Sequence, residues 1–170
     1  MKLKAVAVVL FASTITIGYS SASLAEACYA VGGTVTTENV TSTLQMGSIY
    51  LTLNEGSDEV FSETGSLVGN ITGADSYGAT LLSHKGRFPK GDSFVTKADK
   101  AVLAYPYIRN TLADGTPCSF WIHETVSSIE IGTNLFKNVT SVEMFAEGYI
   151  SNCPEENRNN FVLSGELCVE

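Results

Sequence analysis

Short stretches in which apolar and polar residues alternate, separated by turn formers, constrain this chain more than any other feature. The clearest is the run 118–126, where Phe120, Ile122, Glu124 and Val126 share one face and make it the more apolar one. Similar runs continue to residue 168, and turn-forming clusters such as Asp114-Gly115 punctuate the rest of the chain. Turn signals at such short intervals leave little room for long helices, and the runs between them predict about eight or nine strands.

Two architectures fit short antiparallel strands with this spacing, a closed barrel and a two-sheet sandwich. Glycines interrupt the strand patterns repeatedly between residues 65 and 78, and glycine inside a strand often marks the bend of a barrel. We therefore predict an all-β fold, a closed antiparallel barrel of about eight strands, with a β-sandwich as the alternative. The segment 99–105 is the one place where residue propensity would also tolerate a helix.

The amino-terminal segment has the form of an export signal. Two lysines precede an apolar run from residue 5 to 17, and Ala25-Glu26-Ala27 has the Ala-x-Ala form of a signal-peptidase site. We expect residues 1–27 to be a signal peptide that is removed, leaving 28–170 as a single β-barrel domain that is secreted or periplasmic. No segment is long and apolar enough to predict a membrane span. Lipidation at Cys28 is an alternative, although the residues before it fit a lipoprotein signal poorly.

Four cysteines, Cys28, Cys118, Cys153 and Cys168, all lie after this signal, where an oxidising compartment favours disulfides. Three pairings are possible. Because Cys153 and Cys168 flank one turn and one strand, we expect them to close a hairpin, which pairs Cys28 with Cys118.

Charge and motifs exclude several classes of function. The chain carries a net charge of −8, so phosphate backbones would repel it and nucleic acid is not an expected partner. No phosphate loop, dinucleotide fingerprint, nucleophile elbow or zinc-protease helix occurs, so no cofactor is expected. The spacing of the cysteines and of the two histidines does not predict a metal site either.

Two isolated polar residues are the candidates for catalysis. Glu124 lies on the apolar face of its strand, where burial would raise the pKa of its carboxyl and suit it to proton transfer. The alternative is a structural ion pair with Arg87, Arg109 or a lysine. His84 is placed at the end of a strand near a barrel rim, either as a base or simply as a solvated side chain.

The aromatic residues have two interpretations as well. They fill the core, or they line a cavity for an apolar ligand. On the second interpretation the expected ligand-binding residues are Phe94, Tyr105, Phe120, Ile122 and Glu124. His123 and Trp121 are expected on the outer face, and Asp75 and Asp99 are expected to cap turns or to face solvent.

One stretch resembles a known superfamily. The segment 132–140, Gly-Thr-Asn-Leu-Phe-Lys-Asn-Val-Thr, followed by a strand, Gly148 and the run 161–165, resembles the Gly-x-Gly-x-Phe-x-x-Val-x-Gly pattern of allene oxide cyclase and dirigent-type barrels. The resemblance covers about 35 residues, with Asn134 and Ser141 standing where that pattern often has glycine. It implies an eight-stranded barrel with a central cavity, often trimeric, in a superfamily of cyclases, dirigent proteins and members without known activity.

These observations lead to two expectations about function. The first is an exported non-enzymatic β-barrel that binds a small apolar molecule or a protein partner, because a cavity lined by aromatic side chains needs only apolar area and a few polar groups. The second is an allene oxide cyclase-like or dirigent-like catalyst acting in the same cavity. Replacement of Glu124 by glutamine distinguishes them, because a proton-transfer enzyme would lose turnover and a binding protein would lose only some affinity or stability.

Overall fold

The computed structural model describes residues 26–170, which form ten β-strands and one 3-10 turn. The predicted signal peptide lies almost entirely outside the described residues. The elements are β1 (Ala27–Asn39), β2 (Leu44–Glu55), β3 (Asp58–Ala74), β4 (Thr80–Arg87), β5 (Ser93–Thr96), β6 (Asp99–Thr111), β7 (Pro117–Val126), β8 (Ile129–Thr133), the 3-10 turn (Asn134–Phe136), β9 (Val139–Ser151) and β10 (Asn159–Val169). The segment 99–105, for which a helix was the alternative, is part of β6.

Eight of these strands are paired in a ring. The order is β3, β2, β1, β10, β9, β7, β6, β4, and β4 pairs again with β3. Strands β5 and β8 continue from the second half of β4. All pairings are antiparallel, so the predicted all-β antiparallel class is confirmed, and a ring of eight strands is compatible with both the barrel and a flattened sandwich.

Local sequence explains why these segments form strands. Strand β7 alternates as predicted, with Ile122, Glu124 and Val126 buried and Trp121 exposed on the opposite face. Strands β2 and β3 are joined by a two-residue turn that begins at Gly56, whose φ of 60° few other residues adopt.

The core lies inside the ring. Leu51, Leu53 and Leu167 are almost completely buried there, and four phenylalanines pack against one another with ring centroids 5.1 to 6.2 Å apart. The four are Phe61, Phe88, Phe94 and Phe136. No helix among the described residues is long and apolar enough to span a membrane.

All four cysteines are paired, as predicted, but the predicted pairing is wrong. The bonds are Cys28–Cys168 and Cys118–Cys153. Cys28 lies directly opposite Cys168 because β1 and β10 are neighbours in the ring, a contact between the two ends of the sequence. Cys118 in β7 meets Cys153, just beyond β9, because β7 pairs with β9. Two disulfides are compatible with an extracellular or periplasmic location.

Candidate functional site

The ring encloses a small cavity, called here the interior cavity, of about 50 Å³. Most of its lining is apolar, and its ionisable side chains among the described residues are those of His84 and Glu124. The lining consists of Val35, Thr37, Gln45, Ile49, Leu67, His84, Phe94, Thr96, Glu124, Val126, Met144, Ala146, Phe161 and Leu163.

A larger hollow of about 590 Å³, called here the outer recess, adjoins the interior cavity. The two share Gln45, Glu124 and Phe161 in their linings. Tyr77 and Leu103, exposed by 95% and 54%, also line the outer recess, which therefore reaches the surface. A molecule in the outer recess could thus contact Glu124 at the boundary with the interior cavity.

Three neighbouring strands bring His84, Asp99 and Glu124 together. In the register of β4 and β6, Leu82 lies opposite Asp99, and in that of β6 and β7, Ala101 lies opposite Glu124. Residues two apart on a strand share a face, so the side chain of His84 lies on the face of Leu82 and that of Asp99 on the face of Ala101. The register therefore directs all three side chains to the inside of the ring.

The contacts within this cluster are short. His84 Nδ1 lies 2.8 Å from Asp99 Oδ2 and 3.3 Å from Glu124 Oε1. The hydroxyl of Thr96 donates a hydrogen bond to Asp99 Oδ2 and accepts one of 2.8 Å from the backbone N–H of His84. Asp99 and Thr96 thus fix the orientation of an imidazole at the cavity wall.

The backbone of His84 lies at a fork in the sheet. Strand β4 pairs with β6 as far as Leu82 and with β5 from Lys85 onward, so in the described part of the chain Ser83 and His84 have no ladder partner on that edge. The hydroxyl of Ser83 donates to the carbonyl of Thr96 at 2.7 Å, next to the bond from the His84 N–H to the Thr96 hydroxyl. Side chains therefore supply the hydrogen bonds that the fork removes from the backbone.

A glycine on the adjacent strand makes room for the imidazole. Gly69 in β3 lies directly opposite His84 in β4. A Cβ at position 69 would lie 3.0 Å from both Cδ2 and Nε2 of the ring, which is closer than side chains normally approach. Gly69 therefore serves a close approach, as glycine inside a strand often does.

Burial and charge shift the proton affinities of this cluster. Burial alone would lower the pKa of His84, but the hydrogen bond with Asp99 and the charges of Glu124 and Asp99 outweigh it and hold that pKa above its ordinary value. Burial raises the pKa of Glu124, which neighbouring His84 opposes and Asp99 reinforces. Both shifts favour retention of protons inside the ring.

The two carboxylates of the cluster have few hydrogen-bond or ionic partners within the described residues. Asp99 is completely buried, and its Oδ1 has no hydrogen-bond partner in the described part of the chain. The side chain of Glu124 is 9% exposed, and its polar contact within the described residues is the one with His84. Buried carboxylates are normally paired, so the small number of partners of Asp99 and Glu124 needs a functional or structural explanation.

The structure places most of the predicted ligand-binding residues at these two hollows. Phe94 and Glu124 line the interior cavity, and Phe120, Ile122 and Glu124 line the outer recess. Tyr105 does not reach either hollow: it is 86% exposed on the outside of the ring.

Three further sequence-based placements need correction. His84 does not end a strand at a solvated rim but lies within β4 with its side chain 13% exposed. Asp99 was expected at a turn or in solvent and is instead completely buried. The ion-pair partner proposed for Glu124 was an arginine or a lysine, and the structure has His84 there. Asp75 does cap a turn, since its carboxylate accepts hydrogen bonds from the N–H groups of Tyr77 and Ala79.

Sequence reasoning missed Asp99, Thr96 and Gly69 as parts of the site. The sequence contains little that would have identified them, because the cluster forms only where β4 pairs with both β5 and β6, and no local sequence pattern specifies those pairings.

His123 forms a similar pair with Glu147 on the outer face, at 3.3 Å, and both side chains are accessible there. This second pair offers an exposed counterpart to the buried cluster.

Comparison of this chain with family models, with curated proteins and with solved structures finds no match.

Proposed function

We propose that this protein is an exported binding protein that holds a small, largely apolar molecule in the outer recess and the interior cavity. The observation that carries the proposal is the lining, which is mostly apolar and has the polar side chains of His84, Thr96 and Glu124 next to one another in the wall of the interior cavity. Binding sites for small molecules commonly combine a concave apolar surface with a few polar groups that fix orientation. The volume of the outer recess, about 590 Å³, lies in the range of such sites.

The polar cluster gives the bound molecule an orientation. Glu124 belongs to both hollows, and His84 lies beside it at the wall of the interior cavity. The carboxyl of Glu124 accepts a hydrogen bond when it is ionised and can also donate one when it is protonated, so a hydroxyl group, which both donates and accepts, is the polar group that suits this position. The apolar part of the molecule would then lie against Phe120 and Ile122 in the outer recess.

The experiment that tests this function starts with protein purified from its own source. Native mass spectrometry should detect a retained small molecule and will also report whether the chain is a monomer or a trimer. The fluorescent probe ANS, an aromatic sulfonate that binds apolar surfaces, then measures the affinity of the outer recess in protein freed of that molecule.

A cavity-filling variant makes the binding test specific. Ala101→Val adds two methyl groups to the lining of the outer recess and should lower ANS affinity about tenfold, because the probe would lose apolar contact equivalent to about two methylenes at ~0.8 kcal/mol each. Ala30→Val makes the same change at an exposed position of the strand β1 and should leave the affinity unchanged. Equal affinities of the two variants, with no retained molecule in the native protein, would refute the proposal.

A catalyst acting in the same cavity is the second candidate. It is favoured by the buried carboxyl of Glu124 beside a histidine whose Nδ1 is held by Asp99, an arrangement suited to moving a proton. Glu124→Gln distinguishes the two functions. A proton-transfer enzyme would keep its fold and lose turnover of the molecule identified by mass spectrometry, whereas a binding protein would show only a modest change in affinity.

A further inference from the structure

The cluster of His84, Asp99 and Glu124 has a further property that small-molecule binding does not require. Its three donor atoms lie on three adjacent strands and within 4.8 Å of one another. The two separations from His84 Nδ1 are 2.8 Å and 3.3 Å. Two ligands at bond lengths of ~2.1 Å around one ion are about 3.0 Å apart at a right angle and about 3.4 Å apart at a tetrahedral angle. The donor atoms therefore already have the spacing of neighbouring ligands of one metal ion.

The charges of the cluster also favour the binding of a cation. Two carboxylates meet one imidazole, and neither lysine nor arginine is among the described residues that line the interior cavity. Within residues 26–170, Asp99 Oδ1 is buried without a hydrogen-bond partner, and the ionic contact of Glu124 is the one with His84. A divalent cation between the three groups would compensate both carboxylates, which a single imidazolium does only in part.

We propose that His84, Asp99 and Glu124 bind one divalent transition-metal ion at the wall of the interior cavity. One nitrogen and two carboxylate oxygens suit Zn²⁺, Mn²⁺, Fe²⁺ or Co²⁺ better than Mg²⁺ or Ca²⁺, which prefer oxygen ligands alone. Three protein ligands leave coordination positions open toward the cavity for water or for a group of a bound molecule. The hydroxyl of Thr96, which donates to Asp99, acts as an outer support of the kind that orients metal ligands.

This proposal goes beyond the binding of a small molecule and does not depend on it. The test uses the metal alone, added to the disulfide-intact chain after treatment with EDTA and dialysis. Isothermal titration calorimetry with Zn²⁺ should give one ion per chain. Titration with Co²⁺ should give visible absorption bands that saturate at the same ratio, because the intensity of such bands reports the coordination of the ion.

Two isosteric variants locate the ion. Asp99→Asn and Glu124→Gln each remove one charged ligand without changing the shape of the side chain and should lower Zn²⁺ affinity at least tenfold. The matched control is Glu147→Gln, which removes the carboxylate next to His123 in the exposed pair and should leave the affinity unchanged. Far-UV circular dichroism checks that each variant is folded, and if Asp99→Asn is not, Glu124→Gln alone decides the question.

The results that overturn the proposal are specific. One is the absence of stoichiometric binding of Zn²⁺ and Co²⁺ by the folded wild-type chain. The other is binding that Glu124→Gln leaves intact and Glu147→Gln abolishes, which would place the ion on the outer surface. Neither result bears on the ANS affinity of Ala101→Val, so failure of the metal site and failure of the binding function are distinguishable.

Discussion

Replacing Cys28 and Cys168 together by alanine removes the disulfide that joins the two ends of the described chain. We expect this variant to lose more stability than the matched variant Cys118→Ala/Cys153→Ala. Both pairs lie between neighbouring strands or at the end of one, so the strand ladders can persist without the bonds. The difference between the variants should therefore come mainly from the unfolded state, which each disulfide restricts to a different extent.

The lengths of the closed loops set the magnitudes. The sequence separations are 140 residues for Cys28–Cys168 and 35 residues for Cys118–Cys153. On the chain-entropy account, bonds that close loops of these lengths contribute about 5 and about 4 kcal/mol to the free energy of unfolding. The first variant should therefore be the less stable of the two by about 1 kcal/mol.

Urea denaturation followed by the fluorescence of the single tryptophan, Trp121, measures both free energies, with the oxidised wild-type chain as the reference. Far-UV circular dichroism should show that the strand content of both variants is kept. A larger loss in the Cys118→Ala/Cys153→Ala variant, or a loss below ~2 kcal/mol in the other, would refute the reasoning. Peptide mapping of the wild-type chain without reduction checks the pairing independently.

Three further predictions test the core, a turn and the packing around the site. Leu53→Ala, at a position with 0% exposure, should lower the free energy of unfolding by about 2 to 5 kcal/mol in urea denaturation. Val162→Ala, at a position exposed by 61%, should change it little. The backbone N–H groups of its own turn hold the pKa of Asp75 below its ordinary value. The ionised carboxylate therefore stabilises the fold above the ordinary pKa of aspartate, and this contribution is lost as the pH falls through the lowered pKa of the folded state. In urea denaturation at a series of acid pH values, Asp75→Asn should lose less stability on acidification than the wild-type chain does. Gly69→Ala should displace the imidazole of His84, because the new Cβ would lie 3.0 Å from it, and cost about 1 to 3 kcal/mol. An unchanged NMR spectrum of that imidazole would contradict this account.

Properties that depend on neighbours along the chain could be predicted from the sequence. The period of two in β7 correctly placed Ile122, Glu124 and Val126 inside and Trp121 outside, because the pleat of a strand fixes the side of each residue locally. For Asp75 the sequence left two alternatives, a turn cap and a solvated side chain, and the first is correct because the N–H groups that its carboxylate binds follow within four positions.

Properties that depend on which strands meet could not be predicted. The pairing of Cys28 with Cys168 follows from the contact of β1 with β10, which nothing near either cysteine specifies. The burial of Asp99 has a similar origin. In the sequence it lies among charged residues and resembles a turn, but the pairing of β6 with β4 directs its side chain inward. A charged residue at such a position becomes recognisable only when its partners, His84 and Thr96, are known to be adjacent.

The fork in β4 has a consequence for how the ring moves. Between β4 and β6 the ladder covers only residues 80–82 and 99–101, whereas β1 and β10 pair along almost their whole lengths. This short seam is where the ring should open most readily in its native-state fluctuations, and its amides should exchange hydrogen for deuterium sooner than those of β1. His84 and Asp99 lie at this seam. Transient opening there would therefore give water or a small molecule direct access to the buried cluster, by a route separate from the outer recess.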